Sequence, residues 1–152
     1  MAGAMIKRKQ LFRHKPDEGV YGDCARTVIA CLLDIEPEEV PHHHRHLADG
    51  EQQRLHNEWL AQKGFARVTV AYHLERLEEV LAVGKQLSGD MPYILAGTSR
   101  TGVNHVVICR HDAIVWDPSR TDAGIIGPCD DGYFFIEWIF RPISSEIVED
   151  AP

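Results

Sequence analysis

Apolar residues fall at helical spacing in three stretches and alternate with polar ones in several others. Over residues 23–34, Val28, Ile29, Leu32 and Leu33 form a wide stripe, which predicts a largely buried helix. Gly22 and Asp23 read as the turn and N-cap that open it at Cys24. A second helix is predicted over 50–63, with Leu55, Trp59 and Leu60 inward and Gly64 as its stop. A third covers 74–83, where Leu74, Leu77, Val80 and Leu81 share a face and Gly84 closes it. Glu36-Pro37-Glu38-Glu39-Val40-Pro41 reads as a short helical turn, with Pro37 first and Pro41 ending it. Strands are expected at 65–72, 93–96, 105–109, 113–116 and 133–140, with a short one at 10–12. The reversal Arg110-His111-Asp112 makes a hairpin of the strands that flank it. Helices that mostly precede antiparallel strands indicate an α+β domain, with N-terminal helices packed on a C-terminal sheet. Residues 1–152 are read as one domain, with 1–15 and 144–152 as loose flanks.

Composition narrows the function. At 152 residues the chain can bury a sizeable core, and its net charge of −7 argues against a general nucleic-acid binder. The basic run Lys7-Arg8-Lys9 is short and reads as solvated. Residues 1–15 lack the order of a secretory signal, and no stretch is long enough to span a membrane, so a cytoplasmic location is expected. Four cysteines, Cys24, Cys31, Cys109 and Cys129, form no C-x-x-C pair, so reduced thiols are expected. Cys31 lies two helical turns beyond Cys24 and reads as core; Cys109 and Cys129 read as structural. His42-His43-His44-Arg45-His46 lacks carboxylate or thiol partners at metal-ligand spacing, so a solvated loop is expected rather than a metal site. Trp59, Trp116 and Trp138 read as core, with Trp116 able to edge a cleft beside Asp117.

The chemistry concentrates on three residues. Cys24 stands at the first turn of a helix, where unpaired N–H groups favour thiolate. His105 begins a strand, and Asp117 follows twelve residues later, across the tight reversal. The two would then sit together at one end of the sheet. An imidazole oriented by a carboxylate is what a thiol nucleophile requires, and such a pair is expected as thiolate–imidazolium near neutral pH. Each residue alone has an ordinary structural explanation; together they indicate a catalytic triad that needs no metal or organic cofactor.

The blocks Gly22-Asp23-Cys24, Leu33-Asp34-Ile35, Glu38-Glu39-Val40-Pro41-His42, Gly102-Val103-Asn104-His105-Val106-Val107 and Val115-Trp116-Asp117-Pro118 resemble those of a known family. They are similar to small papain-like cysteine peptidase-type proteins of bacteriophages and bacteria, within the wider group of papain, bacteriocin-processing peptidases and transglutaminases. The resemblance implies a papain-like fold carrying a Cys24-His105-Asp117 triad. Papain-like enzymes place a glutamine about six residues before the cysteine; here that position is Glu18, which cannot donate when ionised. The oxyanion donors would then be the Cys24 N–H with Tyr21, Gln10 or Asn104. The expected activity is hydrolysis of an amide, isopeptide or thioester bond in a peptide or protein substrate. An acyltransferase, a deamidase, or a non-catalytic phage-type binding or inhibitory protein are the alternatives.

Overall fold

The computed structural model describes residues 5–42, 47–48 and 50–143. The expected loose tail, 144–152, and His43 to His46 of the histidine cluster lie outside the described residues. Three helices, α1 (Cys24–Leu33), α2 (Glu51–Gln62) and α3 (Leu77–Ser88), accompany five strands: β1 (Ala66–Tyr72), β2 (Tyr93–Thr98), β3 (Asn104–Arg110), β4 (Ala113–Trp116) and β5 (Phe134–Phe140). The strands form one antiparallel sheet in the order β1-β5-β2-β3-β4. The class is therefore α+β, although β1 and α3 alternate with each other before the run β2 to β5. No helix among the described residues is long and apolar enough to cross a membrane.

Period-two alternation gives the sheet two apolar faces. On one, Ile94, Val106, Ile108 and Trp116 pack against Val28, Cys31 and Leu32 of α1. The other side of α1 buries Ile29 and Ala30 against Val40 and Leu60. Helix α1 is thus enclosed on two sides, as its wide stripe predicts. The opposite sheet face carries Tyr93, Leu95, Val107, Cys109, Phe134 and Ile136, covered by Val80, Leu77 and Leu81 of α3 and by Ile125. The short turn forms as a 3-10 helix over Pro37–Glu39, with Glu36 N–H donating to the Glu39 carboxylate.

Two expectations are corrected by this arrangement. The third helix begins at Leu77 and runs on to Ser88, so Gly84 does not close it. Gly84 lies inside α3, buried, where a Cβ would overlap the ring and hydroxyl of Tyr93. The glycine is there so that helix and sheet can approach, and Tyr93 in turn donates its hydroxyl proton to the His111 carbonyl (2.6 Å).

Residues 5–15, expected as a loose lead-in with a strand at 10–12, form no such strand. Instead residues 6–12 run as a strap across α1 and the end of β4. Ile6 N–H donates to Cys31 O, Trp116 Nε1–H to Arg8 O, and Gln10 N–H to Pro118 O. The basic run is engaged rather than simply solvated. Arg8 pairs with Glu36 (2.9 Å), and Lys9 Nζ donates to Asp117 O and Ser119 O while lying over the Trp116 ring. A further 3-10 turn, Pro16–Glu18, was not expected.

The Gly84 contact is testable. Alanine gains up to about 1 kcal/mol of helix propensity over glycine, but overpacking a filled site costs about 1–3 kcal/mol. Gly84→Ala is therefore expected to lower the urea midpoint without changing the slope of the transition. A midpoint equal to or above wild type would show that the Tyr93 ring yields freely.

Candidate active site

Helix α1 begins at Cys24, but its N-terminus is not capped as expected. The Asp23 carboxylate makes no bond to the helix's own N–H groups. It is fully buried and accepts Leu11 N–H (3.2 Å), Phe12 N–H (2.9 Å) and Arg26 Nε–H (3.0 Å). The helix is held by Asp23's carbonyl, which accepts both Thr27 N–H and Thr27 Oγ1–H. The first-turn amides thus receive no side-chain cap from Asp23.

His105 lies at the start of β3, opposite Gly97 of β2, and is only 6% exposed. Its Nε2 bonds to Asp117 Oδ1 at 2.7 Å. A carboxylate only accepts, so Nε2 carries a proton and Nδ1 is the nitrogen left for sulfur. Cys24 lines the same cleft as His105 and, with Asp117, acts on the imidazole's pKa. The three predicted residues are therefore neighbours, with His105 the one that interacts with both of the others.

The hairpin brings Asp117 to His105 by a route that spacing alone does not reveal. Ile108 pairs with Trp116 but Cys109 pairs with Ile114, so Val115 is an extra residue in β4. This β-bulge reverses the facing of everything after it. Ile114 sits with Cys109 on the α3 face, while Trp116 sits with Ile108 on the α1 face. Continuing the register puts Asp117 across from Val107, on His105's face and diagonal to it. An unbulged hairpin would set Asp117 across from Val106, facing the other way.

The turn after β4 is built around the Asp117 carboxylate. Oδ1 also accepts Ser119 N–H (2.8 Å), and Oδ2 accepts Gly124 N–H (2.7 Å). Ala123 N–H donates to Ser119 Oγ, closing the loop, and Lys9 grips it from below through Asp117 O, Ser119 O and Asp122 Oδ1. Burial works to raise the Asp117 pKa, but the bonds from His105, Ser119 and Gly124 outweigh it and hold the carboxyl well below its usual range. Burial likewise works to lower the His105 pKa. Hydrogen bonds to Asp117 and Cys24, and attraction to both, outweigh it and raise the imidazole from 6.5 to about 9.

These groups open onto a cleft of about 560 Å³, lined by Cys24 and His105 together with Gln10, Arg13, Asn104, Ser119, Arg120 and Asp130 among others. Of the expected oxyanion donors, Tyr21 does not line it; its carbonyl meets His42 Nε2 and its ring packs on His14. Asn104 lines the cleft, but its amide is engaged by Asp130, donating to Oδ1 and accepting Asp130 N–H. Gln10 lines it with its Nε2 donating to Phe12 O (2.5 Å), and its Oε1 is buried with no partner among the described residues. Cys24 itself lines the cleft at the start of α1, where Asp23 makes no side-chain cap bond. Glu18 is outside the cleft and pairs with Lys15 (3.5 Å), and Trp116 is outside it too. Arg13, Ser119 and Arg120 are cleft residues that sequence reasoning missed, because no motif marks them. Gly22 lines the cleft as well; a Cβ there would press on His14 at 3.0 Å, so its glycine lets the chain before Cys24 pass close.

The other cysteines are buried: Cys31 is pushed upward in pKa, Cys109 to about 12 and Cys129 to about 11, each chiefly by burial. Among the described residues no group of three or more His, Cys, Asp or Glu is arranged to hold a metal ion.

The His105 shift has a direct readout. Because the folded value lies above the ordinary 6.5, the stabilisation from its partners is complete below that pH and lost as pH rises through about 9. Ring-nitrogen NMR should find His105 protonated at pH 7 and titrating near 9, and Asp117→Asn should move the midpoint back toward 6.5. A wild-type imidazole already neutral at pH 7 would contradict the arrangement.

Against known proteins, no family model, no curated protein and no solved structure matches this chain, so the case for its chemistry rests on the geometry of Cys24, His105 and Asp117.

Proposed function

We propose that this protein is a papain-like cysteine hydrolase, cleaving an amide, isopeptide or thioester bond through an acyl-enzyme on Cys24. The observation that carries the reading is a single imidazole that interacts with the Cys24 thiol and with a half-buried, multiply bonded carboxylate. Cys24 Sγ attacks the carbonyl carbon, forming an S–C bond while charge moves onto the oxygen. The oxyanion faces the Cys24 N–H at the uncapped start of α1. His105 gives its proton to the departing nitrogen or sulfur as the bond to the leaving group breaks. Water then enters; His105 takes its proton, hydroxide attacks the thioester, and the acid leaves with the Cys24 thiol restored. Asp117 fixes the ring's orientation and tautomer throughout.

Alkylation and turnover test this together. Iodoacetamide at pH 7 is expected to label Cys24 alone, since the other three thiols are buried, and His105→Ala should slow labelling by roughly tenfold or more. p-Nitrophenyl acetate should acylate Cys24 and turn over beyond one equivalent, with Cys24→Ser and His105→Ala each losing about a hundredfold or more in rate. Four cysteines reacting alike would end the proposal, and selective labelling without turnover would leave a binding protein that keeps the site.

A further inference from the structure

We propose that the cleft selects an anionic substrate, an acyl or peptide group bearing a carboxylate next to the bond offered to Cys24. This rests on the cysteine-hydrolase reading and names the substrate class for it. The chain as a whole is acidic, with 23 Asp and Glu against 16 Lys and Arg. The cleft reverses that balance: its charged lining is Arg13, Arg120 and one carboxylate, Asp130.

Among the arginines outside the cleft, Arg100 and Arg110 donate to backbone carbonyls and Arg141 lies over the Phe65 ring, while five others are held by acidic side chains. Arg8, Arg26, Arg54, Arg67 and Arg76 each pair with a carboxylate. Arg13 and Arg120 pair with none among the described residues, although both are exposed. Arg120 is held in place, because its Nε–H donates to Gln10 O (2.8 Å) and leaves the outer guanidinium N–H groups for a ligand. The acidic side chains that might have neutralised this wall are already engaged: Asp23 by Arg26, Asp117 by His105, and Asp122 by Lys9. Asp130 is bound by Asn104 through its side chain and its own N–H. Two unpaired guanidinium groups beside a protonated imidazole make a field that concentrates anions.

The residue that holds Arg120 is itself fixed. Gln10 is 6% exposed, lines the cleft, and has its amide orientation fixed by the bond from Nε2 to Phe12 O. Its buried Oε1 lacks a partner among the described residues.

Charge-matched alkylating agents read this without a known substrate. Rates of Cys24 modification by iodoacetate (anionic) and iodoacetamide (neutral) would be measured on the full chain at low ionic strength. The ratio of the two would be compared with that of free cysteine. The ratio is expected to exceed the free-thiol value about tenfold, to shrink with added salt, and to fall at least about threefold in Arg13→Gln/Arg120→Gln. Arg120→Lys, which keeps the charge, should retain it. Iodoacetamide rates should change less than twofold in these variants, which shows that the fold and nucleophile survive. Selective iodoacetamide labelling with no iodoacetate preference, or a preference untouched by the double substitution, overturns the anionic cleft and leaves the hydrolase reading standing. Unselective labelling by both reagents overturns the two together.

Discussion

One buried carboxylate joins every part of the site. Asp23 stands where a helix cap is expected, yet its oxygens go to Leu11 N–H, Phe12 N–H and the Arg26 side chain instead of to the helix's backbone amides. Withdrawing it would leave the buried Arg26 side chain unmatched, together with two half-buried amides, a loss of about 3–5 kcal/mol for a broken buried pair. Locally, these bonds tie the N-terminal strap to the start of α1. Their effect reaches further, because the strap carries Lys9 under the turn that holds Asp117, and it carries Gln10 and Arg13 into the cleft wall. The helix start is left open for charge that develops beside Cys24.

Placement is equally constrained on the other side of the cleft. His105 and Asp117 belong to neighbouring strands, but an even pairing of β3 with β4 would turn them to opposite faces. The extra residue, Val115, corrects the facing. Once Asp117 arrives, it is surrounded by donors from its own turn, Ser119 and Gly124, and from His105. Two ways of matching a carboxylate thus meet beside the cleft. Asp23 is matched mostly by backbone brought from far away in the chain, and Asp117 mostly by backbone that immediately succeeds it.

Much of this was legible in the sequence where the signal was periodic. The stripe of α1, the inward Trp59 and Leu60 of α2, and the alternating strands all stem from burial that repeats every few residues, and those elements form. The triad residues could be named because a thiol at a helix start and a His–Asp pair across a reversal are local signals. Features set by contacts between distant segments could not be read. Gly84 looks like a helix end until Tyr93 is seen against it. Lys9 looks like a solvated lead-in residue until Asp117 and Ser119 are beside it. A single-residue bulge leaves no mark on the four-residue run 113–116, too short to show a break in alternation. Asp23 reads as a cap because Gly-Asp before an apolar helix usually is one; only the strap's amides redirect it.

The partners of His105 also bear on how one imidazole can serve both halves of the proposed reaction. Part of what raises its pKa to about 9 comes from Cys24, through a hydrogen bond and through charge. That contribution exists only while the sulfur is free. In the first step the raised value keeps a proton on the ring until the leaving group needs it. Acylation converts the sulfur to a neutral thioester, which removes both contributions at once. The ring then keeps its bond to Asp117 but loses the support of the sulfur, so its affinity for a proton falls when its task changes from giving one to taking one from water. The carboxylate maintains orientation through both halves, and the nucleophile's own chemistry shifts the base. A triad whose imidazole drew all its stabilisation from the carboxylate would be as reluctant to release its proton after acylation as before.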